Sequence, residues 1–183
     1  MTPVVRELAP ADLDGWDADA VDAPGGHVLQ SRAWAAHRAA QGWQPRFLAA
    51  DGTRALVLTR RWPLVGGGSG YIPRGPVGQG TPWAGDRSDG SGVAIGRTLA
   101  AAAAYLAGSG VDVLAADAEV AADDDGYRSA LREAGFRAIP EIQPSRHRMA
   151  LALPRTAIRP PSSTVSPRPP VSGSGGRSAT ASS

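Results

Sequence analysis

Residues 45–64, PRFLAADGTRALVLTRRWPL, carry the pattern that decides the fold. Two runs rich in aliphatic residues flank Asp51 and Gly52, a dipeptide typical of two-residue hairpin turns. We therefore predict two antiparallel strands joined at this turn. The following stretch, GGGSGYIPRGPV at residues 66–77, predicts a glycine-rich bend and a third short strand that ends at Pro73.

Helical and strand patterns alternate irregularly on both sides of this hairpin. Helices are predicted at residues 31–43, 92–110 and 123–136, with a polar helix start at 11–20 and a turn at 24–26. Further strands are predicted at residues 3–8, 111–117 (a buried strand) and 146–153, and residues 77–90 are predicted to form a loop. This order predicts an α/β (α+β) domain with a mixed sheet over residues 1–154, rather than a regular parallel βαβ array.

The charge of the chain is divided unevenly between this domain and the tail. The pI is about 9.6, and every basic residue other than His is Arg. All 17 acidic residues lie in residues 1–154, which carry a net charge of −2, whereas residues 155–183 carry +4. Because the basic excess belongs to the tail, it gives little support for a nucleic-acid partner. The tail has eight Ser, five Pro and no aromatic residue, so we expect it to be disordered.

Composition excludes several classes of site. The chain has no Cys, hence no disulfide, no thiolate nucleophile and no Cys metal ligand, and its three His do not favour a multi-His metal centre. The N-terminus lacks a basic region followed by an apolar run, so no secretory signal is expected. The most apolar run, residues 98–107, is too short to cross a bilayer. These features predict a soluble, cytoplasmic protein without an integral membrane segment.

The glycine-rich stretch at residues 66–77 matches none of the usual phosphate-binding loops. A P-loop needs Lys, which the chain lacks, and the spacing of a dinucleotide-binding loop fails because Tyr71 stands in the place of its third glycine. An acyl-CoA loop precedes a helix, but RGPVGQG at residues 74–80 is one residue too long and is separated from the next helix by more loop. Local chemistry alone therefore favours a structural loop that enters a strand.

Four stretches, at residues 27–45, 56–77, 111–120 and 135–153, carry motifs that occur together in one family. In this order they resemble the N-terminal half of the FemABX family, the aminoacyltransferases that build peptidoglycan bridges. The matching motifs are Gln-Ser-x-x-Trp at 30–34, Tyr-x-x-Arg-Gly-Pro at 71–76, an Asp-Pro-Glu-like strand end at 117–119, and Gln-Pro at 143–144.

The resemblance implies a GNAT-like domain that forms one half of a two-half enzyme. It implies that the first half and the cleft between the halves hold a peptidoglycan precursor, a lipid-linked or UDP-linked muropeptide. Aminoacyl-tRNA would be the co-substrate and no cofactor would be needed, because orientation and charge stabilisation can drive attack of an amine on an ester. The second half has no counterpart in this sequence, so we expect the chain alone not to transfer an aminoacyl group. An acyl-CoA-dependent N-acyltransferase and a non-catalytic fragment are the alternatives.

The resemblance also suggests substrate-binding residues. Arg74 can hold a phosphate or carboxylate with its paired donors, or it can brace the loop around it. Tyr71 can contact substrate or serve as a half-buried strand residue, and Arg38 lies near the place where family members often carry a Lys thought to meet the diphosphate. Gln143 and Arg146 follow the last helix and can line the cleft. No catalytic residue and no metal ligand is assigned.

Three positions depart from the family pattern: Ala115 replaces a basic residue, Ala118 a Pro and Ala152 an Asp. The tail offers a reason for the missing half. GC-rich codons can be chosen for residues 166–180 such that a shifted frame spells SASTRQRIRGAERD, which resembles the helix that follows in the family. We therefore expect residues 155–183 to be an out-of-frame translation of a longer gene.

Overall fold

The computed structural model describes residues 2–64, 66–78, 91–121 and 123–139. They form an α/β arrangement of one open, mostly antiparallel sheet with helices on its two faces. The predicted strand at residues 146–153, the tail, Gln143 and Arg146 all lie outside the described residues. A GNAT-like relationship remains an expectation from the sequence.

The sheet has the order β1-β2-β3-β4-β6, and β5 pairs with the start of β3. All pairs are antiparallel except β4 with β6, which are parallel. The strands are β1 (Arg6–Glu7), β2 (Gln44–Ala50), β3 (Thr53–Arg61), β4 (Gly68–Ile72), β5 (Val77–Gly78) and β6 (Val113–Ala116).

Three α-helices and several short helical turns complete the described chain. The α-helices are α1 (Arg32–Ala39), α2 (Ser91–Ala107) and α3 (Asp125–Glu133). Ser31 caps α1 by accepting a hydrogen bond from the Trp34 amide, and Asp124 caps α3 in the same way through the Tyr127 amide. The shorter turns are a 3-10 turn at Pro10–Asp12, a π turn at Ala18–Asp22 and a 3-10 turn at Val28–Gln30.

The central hairpin follows the prediction from the sequence. Asp51 and Gly52 have φ of 42° and 83°, the positive values that a two-residue turn requires. The turn fixes a register in which Ala50 faces Thr53 and Gln44 faces Thr59. Because side chains alternate along a strand, this register sends Leu56 and Leu58 to one face, and Ala55 and Val57 to the other.

Each face of the sheet therefore has its own core. On the α1 face the buried cluster contains Leu8, Leu13, Trp16, Ala20, Ala35, Ala49, Leu56, Leu58 and Val77. On the α2 face it contains Leu48, Ala55, Val57, Ile72, Ile95, Leu99, Ala102, Leu106 and Val111. The α2 face is covered by α2, with α3 packed on α2.

The loop predicted at residues 77–90 begins instead with the strand β5, which pairs with β3. Two strand predictions also need correction. The strand predicted at residues 3–8 is limited to Arg6–Glu7, and the strand predicted to be buried at 111–117 is the half-exposed edge strand β6. The exposure of β6 follows from its place in the sheet: among the described strands it pairs with β4 alone, and Val113 is 51% exposed. Apolar composition alone does not distinguish an edge strand from a central one.

Candidate functional site

The loop that follows β4 holds Arg74 in an unusual backbone conformation. Its φ is 53°, in the left-handed region that an Arg seldom adopts. The peptide bond after the following residue, Gly75–Pro76, is cis. The side chain is mostly covered, with 20% of its surface exposed. An Arg held at positive φ needs support from its surroundings, and two side chains supply it.

Gln30 supports this loop from the α1 face. Its side-chain amide donates to the carbonyl of Pro73, and its oxygen accepts from the Leu56 amide of β3 at 2.6 Å. The residue is fully buried, so both ends of its amide are satisfied by backbone groups away from water. A Cβ on Gly75 would lie 2.7 Å from the Gln30 Nε2, so only glycine fits between Arg74 and this amide.

Asp117 supports the loop from the neighbouring strand. It directly follows β6, and its Oδ1 accepts from the Arg74 backbone amide at 2.7 Å. Its Oδ2 lies 3.4 Å from the Arg74 Nε, an ion contact without hydrogen-bond geometry, and this oxygen is buried without a hydrogen bond among the described residues. Asp117 therefore fixes the loop through Oδ1, while its buried Oδ2 faces the Arg74 side chain.

The guanidinium of Arg74 keeps most of its donors. Only its Nε approaches Asp117, and its two terminal amino groups meet no hydrogen-bond acceptor in the described part of the chain. Since Gln30 and Asp117 hold the backbone on either side of Arg74, the end of its side chain contributes little to bracing the loop. The guanidinium therefore offers a pair of parallel donors on a fixed backbone, and this geometry suits a carboxylate or a phosphate.

A further polar contact ties together the segments that carry these two supports. The Nε2 of His27 lies 3.3 Å from a carboxylate oxygen of Glu119, two residues after Asp117. The Nδ1 of His27 accepts from the Leu29 amide at 3.0 Å and so caps the 3-10 turn that carries Gln30. His27 therefore donates from Nε2, and the contact keeps the Gln30 turn beside the Asp117 segment.

The α1 face of the sheet is partly exposed next to this loop. Helix α1 packs on β2 and β3, and the side chains of β4 and β6 on the same face are small or only partly covered. Tyr71 packs against the α1-side core and faces Ala115 across the parallel pair, and Ser69 faces the half-exposed Val113. The result is a shallow floor with Arg74 at one end.

A cluster of guanidinium and indole groups borders the other end of this face. Arg38 of α1 stacks on Trp43, with 5.1 Å between its guanidinium carbon and the ring centroid, and Arg60 of β3 stacks on the same ring at 5.9 Å. Arg38 also contacts the Trp34 ring at 5.6 Å and donates to Gln41. No carboxylate of the described residues forms an ion pair with either Arg, so within that part of the chain both charges are unpaired.

The predicted site residues thus divide between two places. Arg74 lies beyond the carboxyl end of β4, and Tyr71 lies within that strand. Arg38 lies near the amino end of β4, because it stacks on the same Trp43 ring as Arg60. Arg60 in turn pairs with Ser69 of β4. Sequence reasoning had not assigned Asp117 a role toward Arg74, and it had not singled out Arg60. The Asp-Ala-Glu strand end was a signal for Asp117, whereas nothing local marks Arg60.

Burial near Asp117 also affects Tyr127 of α3. Its phenol is largely removed from water and senses the negative charge of Asp117, and the two effects raise its pKa to about 12, burial being the larger. The tyrosine therefore stays neutral at ordinary pH. The Tyr127 phenol is therefore a poorly solvated group within the electrostatic reach of Asp117.

The chain matches no protein-family model and no curated protein. In the part of the chain that the structure describes, no helix is both long and apolar enough to cross a membrane. No three His, Cys, Asp or Glu side chains of the described residues come together as metal ligands would.

Proposed function

We propose that this domain binds a peptidoglycan precursor and acts as the muropeptide-binding half of an aminoacyltransferase that uses aminoacyl-tRNA. The observation that carries the proposal is the mounting of Arg74, whose backbone is held by Gln30 and Asp117 while its terminal amino groups keep their donors. Such a mount is suited to positioning a ligand, because a preorganised guanidinium loses little entropy on binding.

The two ends of the sheet face match the two ends of such a ligand. Arg74 and the Arg38–Arg60 cluster are separated by about five residues of β4, which corresponds to roughly 16 Å at about 3.3 Å per residue. A nucleotide-linked muropeptide is extended, with a diphosphate at one end and the carboxylate of the stem peptide at the other. We assign the diphosphate to Arg38 with Arg60, and the carboxylate to Arg74.

The floor between these ends fits a peptide. Ser69 and Ala115 have small side chains on this face, and Tyr71 lies beside Ala115. These groups orient a substrate, which is the main requirement for attack of an amine on an activated ester. Localisation in the cytoplasm, where both proposed substrates are made, forms part of this proposal.

The test is to measure binding of a UDP-linked muropeptide and of the free stem peptide by isothermal titration calorimetry. Arg74→Ala should weaken both ligands by about tenfold or more, since it removes a charge-assisted pair of hydrogen bonds. Arg38→Ala should weaken the nucleotide-linked ligand by a similar factor and leave the free peptide unchanged.

The matched control is Arg128→Ala on α3, whose guanidinium is half exposed and pairs with Asp125. It should change neither affinity. Absence of binding by the unmodified chain, or equal losses in all three variants, would contradict the proposal. A loss for both ligands in Arg38→Ala would show that the assignment of the two ends is wrong.

A further inference from the structure

The turn between β3 and β4 exposes apolar side chains that no described element covers. In this hairpin tip, defined here as residues 60–64 and 66–67, the Leu64 side chain is fully exposed, at 103%, and Trp62 is 37% exposed. Isolated exposed apolar residues are common on protein surfaces, but a Leu entirely in water beside a half-exposed Trp at the end of a projecting hairpin is a specific arrangement.

The backbone holds these side chains outward. The Trp62 amide donates to the Gly67 carbonyl at 3.2 Å and closes the turn, while Gly66 and Gly67 have φ of 71° and 73°. Leu64 also has positive φ, 77°, which costs a residue with a Cβ on the order of 1 kcal/mol. No core contact compensates for this conformation, since the Leu64 side chain is in solvent.

The side chains of the tip itself carry charge of one sign, whereas the Asp112 carboxylate lies against its Gly67 end, where its Oδ2 accepts from the Gly68 amide at 3.0 Å. Arg60 and Arg61 are both exposed, and the sequence contains no Asp or Glu from residue 52 to residue 85. Among the described residues Arg61 forms no ion pair, and the Arg60 guanidinium stacks on the Trp43 ring. The tip thus presents the aliphatic side chain of Leu64, the indole of Trp62 and the positive charges of two Arg.

We propose that the hairpin tip docks on the surface of an anionic lipid bilayer. Trp62 and Leu64 would enter the interface between headgroups and acyl chains, where Trp is favoured, and Arg60 and Arg61 would meet the lipid phosphates. This is a peripheral contact and needs no spanning helix. It goes beyond the proposed function and does not depend on it.

Other occupants fit the tip less well. A nucleic-acid backbone would satisfy the two Arg but would leave Leu64 in water. A second copy of the chain, docked by twofold symmetry, would place Arg60 and Arg61 against their own copies without a carboxylate. A bilayer that contains anionic lipid satisfies both the apolar and the charged part of the tip at once.

The experiment is co-sedimentation of the full chain with vesicles, either of phosphatidylcholine alone or of equal parts phosphatidylglycerol and phosphatidylcholine. The chain should bind the anionic vesicles and bind pure phosphatidylcholine much more weakly. Leu64→Ser should lower the partition coefficient about tenfold, because it removes the aliphatic side chain that enters the bilayer on binding. Arg61→Gln should lower it about fivefold.

Matched controls change the same residue types elsewhere on the surface. Val4→Ser removes an aliphatic side chain that is 78% exposed, and Arg132→Gln removes an exposed charge on α3. Both should bind within twofold of the unmodified chain. Vesicles that contain a brominated lipid should quench the Trp fluorescence, and Trp62→Phe should remove most of that quenching, which locates the contact at the tip.

Several results would overturn the proposal. Leu64→Ser and Arg61→Gln could bind like the controls, or the quenching could persist in Trp62→Phe; either shows that the tip is not the contact. Binding to RNA of mixed sequence with no binding to anionic vesicles would identify a polyanion site instead. Loss of a dimer in Leu64→Ser, seen by sedimentation velocity without vesicle binding, would identify a contact between copies.

Discussion

The two ends of β4 differ in how their polar and apolar groups are satisfied. At the carboxyl end, the Arg74 loop is held by Gln30 and Asp117, and the groups around it are buried. At the amino end, Trp62 and Leu64 face solvent, and Arg60 and Arg61 have no carboxylate partner among the described residues. The polar groups at the carboxyl end thus have partners inside the domain, whereas the apolar and charged side chains at the amino end face solvent.

This difference separates two kinds of task. A loop whose backbone bonds are all made inside the domain keeps its geometry, which favours the exact placement of a ligand group. A tip that leaves apolar groups in water gains free energy only when another surface covers it. We therefore expect mutations at the carboxyl end to change stability, and mutations at the amino end to change association while leaving the fold intact.

The largest effect is expected for Gln30→Ala. It would leave the Leu56 amide and the Pro73 carbonyl buried without partners and would open a cavity, so the free energy of unfolding should fall by about 3 kcal/mol. Urea denaturation followed by circular dichroism measures this change.

Two further variants make that result specific. Gln30→Glu retains the volume but loses the donor to Pro73, so it should also destabilise the fold. Gln41→Ala, at an exposed position in the turn after α1, should cost less than about 0.5 kcal/mol. If Gln30→Ala were no more harmful than Gln41→Ala, the Arg74 loop would not depend on the Gln30 bridge.

A smaller effect is expected in alkaline solution, from Tyr127 behind the Arg74 loop. Its pKa is raised in the folded state to about 12, from an ordinary value of 10.0. The neutral phenol is therefore favoured by folding, and this contribution is complete below pH 10 and lost as the pH rises toward 12. The loss amounts to roughly 2–3 kcal/mol.

The measurement is the free energy of unfolding as a function of pH in the native chain and in Tyr127→Phe. The phenylalanine variant should show a flatter decline over this range. Tyr105→Phe serves as the control, because Tyr105 is 37% exposed, and it should follow the native curve. Identical slopes in all three proteins would show that the site behind Asp117 is well solvated.

The smallest effect is expected at the amino end of β4. Leu64→Ala should change the free energy of unfolding by no more than about 0.5 kcal/mol, since the side chain has no contacts to lose. The comparable truncation at the carboxyl end, Ile72→Ala, removes a fully buried side chain and should cost about 2–4 kcal/mol. A Leu64→Ala loss near that of Ile72→Ala would mean that the tip packs against the domain and would remove the contrast between the two ends.

Local sequence signals predicted the parts of this fold that depend on neighbours in the chain. The Asp51–Gly52 turn, the Ser31 cap of α1 and the end of α3 before Gly135 are each specified within a few residues, by positive φ or by a capping side chain. The three strands of the central meander and the three helices follow from these signals together with the apolar periodicity. For the candidate site, the sequence supplied Arg74, Tyr71 and Arg38 as residue types, through a resemblance rather than through their geometry.

The tertiary structure decided everything that depends on residues far apart in the chain. Gln30 bonds to Pro73 and Asp117 bonds to Arg74, each across 43 positions of the sequence. Arg38 and Arg60 stack on the same indole ring. No local pattern encodes such contacts, because they depend on the pairing order and register of the sheet. The same order made β6 an edge strand although its composition predicted a buried one. The sequence by itself thus determined the elements and their turns, whereas the packing of those elements determined which charges are paired and which remain available to a ligand.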